Sequence, residues 1–163
     1  MSGKVFFFSS IAGWAEMDAN AHMANTAYLS KCVDARMGYF KQSGFAVTEF
    51  AKRQIGPVVR RDEIEYFREI ALMEPITITL ALGGLAPDCT RFRLVNEILA
   101  SDGKLAARIR SEGGWLDLAA RKLIVPPPEL QAALHAMPRT ADFEPLPSSV
   151  RSCSCASVLC GLA

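Results

Sequence analysis

Excess charge of either sign is missing from this sequence: 18 Lys and Arg face 17 Asp and Glu, a formal net charge of +1 at pH 7. Without a surplus there is no electrostatic case for a nucleic-acid partner or an anionic membrane surface. Long apolar runs are missing too, and no stretch approaches the roughly 20 residues of a membrane-spanning helix. Near the start, Val5–Phe8 is apolar and follows a lysine, but Ser9 and Ser10 break it. That is too short for the apolar core of a signal peptide, so a first β-strand is expected there.

Paired cysteines are also lacking. Cys32, Cys89, Cys153, Cys155 and Cys160 are odd in number, and three of them crowd the C-terminus. This is not the disulfide framework of a small secreted domain; it fits a reducing compartment, and a cytoplasmic location is expected. The C-terminal cysteines are read as free thiols rather than zinc ligands or lipid carriers. Histidine is scarce, with two in the chain. Asp18 and His22 would supply two metal ligands, but no further Cys, His or Glu completes a site nearby, and no metal is expected.

What remains is ordinary globular material, 50% apolar and 21% charged in 163 residues, which suits one domain. From Thr26 to about Ser43, Leu29, Cys32, Val33, Met37 and Phe40 recur at helical spacing. Asn25 stands where an N-cap belongs and Gly44 where helices stop. From Ile55 to Val125 the pattern changes to period two, most plainly in "EPITITLAL". Gly83-Gly84 with Pro87-Asp88, and then Ser101-Asp102-Gly103, read as turns between strands. "VPPPELQAALHAM" opens a short helix with Pro128 and Glu129 in its first turn. An α+β domain over 1–138 is expected, an antiparallel β-sheet wrapped around one long central α-helix. The Pro-, Ser- and Cys-rich 139–163 is read as a mostly disordered tail. One helix covers one sheet face, so a homo-oligomer is expected to cover what is left.

Between the first strand and the long helix stands "DANAHMANTAYL", Asp18 to Leu29. It resembles the D-x-x-G-H-x-x-N-x-x-Y signature of hot-dog fold acyl-CoA thioesterases, the 4-hydroxybenzoyl-CoA thioesterase-like family. The likeness continues through "GPVVRRDEIEYFREIALMEPITI" and "GKLAARIRSEGGWLDLAARKLIVPPPEL", covering about Val5 to Leu134. The resemblance implies hydrolysis of an acyl-CoA thioester. Asp18 would be nucleophile or general base, and the backbone N–H at Asn25 or its neighbour would polarise the carbonyl. It implies a site between two subunits of a homodimer or dimer of dimers, with no cofactor beyond the coenzyme A of the substrate. Elementary physics agrees, because a helix N-terminus offers unpaired N–H groups and a positive dipole end to an oxyanion.

Ala21 stands where the family has Gly, and Ala24-Asn25 where many relatives have two Asn. Alone, Asp18 reads equally as a turn residue. His22 makes a structural hydrogen bond or a substrate contact; Tyr28 is core or touches the acyl group; Glu16 is a strand-end residue or a second carboxylate. Arg60 and Arg61 suit coenzyme A phosphates as well as a solvated strand end. Two other functions compete: a non-enzymatic acyl-binding hot-dog protein, and the enoyl-CoA hydratase/dehydratase branch. The D-x-N-P-x-H motif of that branch would need a Pro and a His one residue later than His22.

Overall fold

Apolar residues at three- and four-residue steps bury one face of helix α1 (Asn25–Gln42): Ala27, Tyr28, Cys32, Ala35, Tyr39 and Phe40. The computed structural model describes residues 5–150. The helix starts one residue earlier than expected, and its N-cap is Ala24 rather than Asn25. Ala24 is held extended because its N–H donates to the Glu16 carbonyl at 2.8 Å, so the helix begins only after it. At the other end Gly44, at φ +84°, lets Phe45 N–H reach back to the Phe40 carbonyl at 2.8 Å and Gly44 N–H to Lys41 at 3.2 Å. That paired capping ends the helix where the glycine predicts.

Helix α2 (Val47–Arg53) had no signal, because seven residues are too few to show a period. Its Phe50 packs on Phe45, Phe40 and Trp115. Before α1 lie strand β1 (Phe6–Ile11) and a 3₁₀ turn (Trp14–Glu16); after α2 come β2 (Ile55–Tyr66), β3 (Pro75–Leu85), β4 (Arg91–Leu99), β5 (Leu105–Asp117) and β6 (Lys122–Leu123). The chain closes with α3 (Pro128–Ala136) and β7 (Arg139–Pro145).

The sheet order is β1-β3-β4-β5-β2, antiparallel throughout, and its inner face packs on α1. Ile76, Ile78, Leu80 and Leu82 of β3 and Phe92, Leu94 and Ile98 of β4 point inward, as period two requires. The outer face is a ladder of ion pairs: Arg93–Glu112 at 2.8 Å, Arg108–Glu97 at 2.8 Å and Arg110–Glu65 at 2.9 Å. Each such half-exposed pair adds at most about 1 kcal/mol, but together they make a face suited to water. This is the hot-dog arrangement the sequence implies.

Two further expectations are corrected. Gly83 and Gly84 lie within β3, at a register shift between Leu82 and Gly84, and only Pro87-Asp88 turns the chain. A Cβ at Gly84 would stand 2.9 Å from the Glu144 carbonyl, so the glycine admits a neighbouring backbone rather than a turn. That neighbour is β7, which pairs parallel with β3 and places ordered chain where the tail was expected to begin. Phe143 packs against the core, Arg139 lies over its ring at 4.3 Å, and Leu146 is buried. A short strand between Pro138 and Pro145 carries breakers at both ends and too few residues for a period, so it reads as coil. The remainder of the expected tail, 151–163 with Cys153, Cys155 and Cys160, lies outside the described residues.

Under α1 the core holds one polar chain. Arg36, 4% exposed, donates to Asn96 Oδ1 at 2.8 Å and Ser111 Oγ at 2.7 Å. Asn96 in turn donates to the Thr79 carbonyl at 2.8 Å, and Ser111 to the Asp62 carboxylate on β2. Beside it, burial pushes the Cys32 thiol up to about 12, which makes it an inert packing group.

Candidate active site at the start of the long helix

The segment before α1 is a tight hairpin. Met17 bridges Met23, and Asp18 N–H donates to the His22 carbonyl at 2.8 Å. Inside the turn, Asp18 Oδ1 accepts the backbone N–H groups of Asn20 at 2.8 Å and His22 at 3.2 Å. These two backbone hydrogen bonds, Asn20 first, hold the exposed carboxyl below the usual carboxylate range. Asp18 is therefore an ionised, oriented carboxylate and a turn residue at once. Ala21 sits at φ +59°, the left-handed region that favours glycine, at the position where the signature has Gly.

Directly after the hairpin comes the helix N-terminus. Ala27 N–H returns to the Ala24 carbonyl at 2.9 Å, while the Asn25 and Thr26 N–H groups have no partner among the described residues. Asn25 thus contributes its backbone at the first helical position rather than a capping side chain. The edge strand reaches the same point, since Tyr66 Oη donates to the Asn25 carbonyl at 2.9 Å.

His22 forms an antiparallel bridge with Ala71, and its Nδ1 lies 3.3 Å from Glu69. It borders an open cleft of about 650 Å³ with Phe67, Arg68, Glu74 and Ser101. Tyr28 is buried, meets Tyr66 edge-to-face at 5.1 Å and lies 3.4 Å from the Arg68 carbonyl. Burial raises its hydroxyl pKa, so it packs under the site as a neutral phenol. Glu16 is spoken for, with Lys31 at 2.8 Å and the Gly13 N–H at 2.7 Å.

Asp18 and His22 thus share the hairpin, and Asn25 and Tyr28, both in contact with Tyr66, lie in the first turn of the helix that follows it. Arg60 and Arg61 do not join them: six and five residues up β2 from Tyr66, they stand roughly 16–20 Å from that tyrosine at strand spacing. A bulge between Val59 and Arg61 also parts the two arginines, and Arg61 pairs with Glu63 at 2.7 Å. Sequence reasoning missed Tyr66 and Glu69, whose contacts with Asn25 and His22 are long-range and leave no local signal. Among the described residues no three His, Cys, Asp or Glu side chains converge as a metal site. No described helix is long and apolar enough to cross a membrane.

A family model described as the thioesterase-like superfamily matches residues 12–134. No curated protein matches the chain by sequence. Among solved structures, a 1,4-dihydroxy-2-naphthoyl (DHNA)-CoA thioesterase from Staphylococcus aureus superposes with a TM-score of 0.74 at 20% identity, covering 80% of this chain and 89% of that one. YbaW, a probable thioesterase from Escherichia coli, gives 0.67 at 24% identity, with 82% and 99% covered. A hypothetical Staphylococcus aureus protein solved in complex with CoA gives 0.73 at 18%, with 86% and 90% covered. At these identities the likeness is one of fold.

Proposed function

The chain belongs to the thioesterase-like superfamily, and on that footing we propose that it hydrolyses an acyl-CoA thioester to the free acid and coenzyme A. The observation that supports this most is the placement of an ionised carboxylate, Asp18, in a rigid hairpin directly before a helix start whose Asn25 and Thr26 N–H groups are unpartnered. A thioester carbonyl oxygen at that helix start would accept those N–H groups, which stabilise the negative charge that grows on it. Asp18 then takes a proton from water as the water oxygen attacks the carbonyl carbon. Alternatively its oxygen attacks directly and water cleaves the resulting anhydride. Either way the carbon–sulfur bond breaks, the thiolate takes a proton, and no cofactor is consumed.

In this reading His22, fixed by Glu69, contacts the substrate at the mouth of the cleft, and Tyr28 lies beneath the acyl group. The working unit is a homodimer or dimer of dimers. Strand β2 supports this: it is the last strand of the sheet, mostly exposed, and offers a backbone edge to a second copy.

A second reading, a non-enzymatic acyl-binding protein, draws on the same hairpin, because Asp18 and the strained Ala21 suffice as turn chemistry alone. Free coenzyme A released from short, long and aromatic acyl-CoAs separates the two. Hydrolysis of at least one by wild type supports the enzyme; inactivity on all of them, with acyl-CoA bound, supports the binder.

A further inference from the structure

Among the described lysines Lys31 alone is buried, at 9% exposure; Lys41, Lys52, Lys104 and Lys122 are all exposed. Lysine is almost never buried without a partner, and this one has two. Its Nζ lies 2.8 Å from Glu16 Oε1 and donates to Ser10 Oγ of β1 at 3.2 Å. Glu16 is equally committed: its Oε2 accepts the Gly13 N–H at 2.7 Å and its carbonyl accepts the Ala24 N–H at 2.8 Å. Strand, 3₁₀ turn, hairpin and helix meet at this one charge pair.

The pair stands at the root of the hairpin. Residues 16–18 and 22–24 are its two arms, joined by the Ala24 N–H to Glu16, the Met17–Met23 bridge and the Asp18 N–H to His22. The return arm is fixed from outside, because Met23 N–H donates to the Ile70 carbonyl at 2.8 Å and His22 bridges Ala71. The other arm carries Asp18 two residues beyond Glu16, and Glu16 fastens it to α1 through Lys31. Lys31 lies six residues after Asn25, about 9 Å further along the helix axis. The carboxylate's arm is thus anchored to the same helix whose start offers the Asn25 and Thr26 N–H groups. Stability alone does not account for a buried ion pair here, since apolar side chains of similar volume often serve a core as well or better. What the charges add is a fixed geometry between arm and helix.

We propose that Lys31 is a positioning residue, which through Glu16 sets the Asp18 carboxylate against the N–H groups of the helix start. Its consequence for turnover rests on the proposed acyl-CoA reading; the placement itself is measurable without turnover. A displacement of about 1 Å between reacting groups costs on the order of 10²-fold in rate. Loosening the arm therefore lowers kcat. KM stays where it is, because the Lys31 and Glu16 side chains are taken up by each other and by Ser10 and Gly13.

The test compares Lys31→Met, Glu16→Gln and the double variant Glu16→Gln/Lys31→Met with Arg53→Met, which loses the Arg53–Glu129 ion pair between α2 and α3. Each hairpin variant should lower kcat about tenfold or more at a KM within about twofold of wild type. The double variant should lose no more than the worse single, as two partners of one contact require. Arg53→Met should keep the wild-type kcat. The double variant leaves no lone buried charge, so it should melt within a few degrees of wild type even if Lys31→Met alone fails to fold. In the double variant, hydrogen exchange at the Asp18 and Ala24 amides should quicken about tenfold or more, while Ala35 in the middle of α1 exchanges as in wild type. Wild-type kcat in the double variant overturns the proposal, and so does unchanged exchange at both hairpin amides. A raised KM at constant kcat overturns it too, as does an equal loss of kcat in Arg53→Met. A wild type that hydrolyses no acyl-CoA sinks the proposed activity alone, and the exchange rates then decide the placement.

Discussion

Tyr66 Oη donates to the Asn25 carbonyl at 2.9 Å, which ties the edge strand to the first residue of the long helix. The same ring meets Tyr28 edge-to-face at 5.1 Å. Strand and helix start are therefore positioned together. Tyr66→Phe keeps the ring contact and removes the hydrogen bond, so a stability loss of about 0.5–1.5 kcal/mol is expected. Turnover should fall several-fold, because the carbonyl that orients the helix start is released. Chemical denaturation together with kcat checks both, and an unchanged kcat would show that the bond serves stability only.

Ala21 holds a left-handed conformation at φ +59°. An L-residue there costs about 1–2 kcal/mol, of which glycine's greater freedom when unfolded returns part. Ala21→Gly is expected to stabilise the protein by roughly 0.5–1 kcal/mol, raising Tm by a few degrees. A lower Tm would mean that the methyl group packs against something the hairpin needs.

Arg36 is buried with partners on β4 and β5 and, through Ser111, on β2. Arg36→Met keeps length and apolar bulk but leaves Asn96 Oδ1 and Ser111 Oγ short of a donor and the Asp62 carboxylate without the positive charge behind its Ser111 partner. Removing one member of such a buried network typically costs about 3–5 kcal/mol. A urea midpoint close to wild type would show that the network contributes little.

Backbone hydrogen bonds hold Asp18 below the usual carboxylate range, and the Arg68 pairing brings Asp102 down to about 2. A carboxyl whose folded pKa is depressed contributes stability fully above its unfolded value, near 4, and loses it as pH falls through the folded one. Acid unfolding should therefore begin below about pH 4, with neither group contributing a transition at higher pH. Likewise kcat/KM should stay flat from pH 7 down to about 4 if Asp18 is the group that must be ionised. An acid limb near pH 6 would assign that role to another residue.

The sequence carried those features that local rules encode. The helical spacing of Leu29, Cys32, Val33, Met37 and Phe40, the stop at Gly44 and the alternation in β3 gave α1 and the inner face of the sheet. Within "DANAHMANTAYL", Asp18 and His22 close one hairpin, and Asn25 and Tyr28 lie in the first turn of the helix directly after it. What failed depended on partners far along the chain. Gly83-Gly84 read as a turn until β7 approached it, and Ala24 took the cap position because Glu16 holds its N–H. Arg60 and Arg61 look alike as neighbours, and only the bulge separates them. Tyr66 and Glu69 had no mark at all, since the helix start and the hairpin they touch lie far from them along the chain.

The most direct measurement is kcat of Asp18→Asn on the best acyl-CoA substrate, read beside its melting temperature. The amide keeps the shape and suits the turn, so Tm should move little, while loss of a base or nucleophile should lower kcat by about 10²–10⁴-fold. An Asp18→Asn protein that retains more than about a third of wild-type kcat would contradict the catalytic assignment and leave Asp18 as a turn residue.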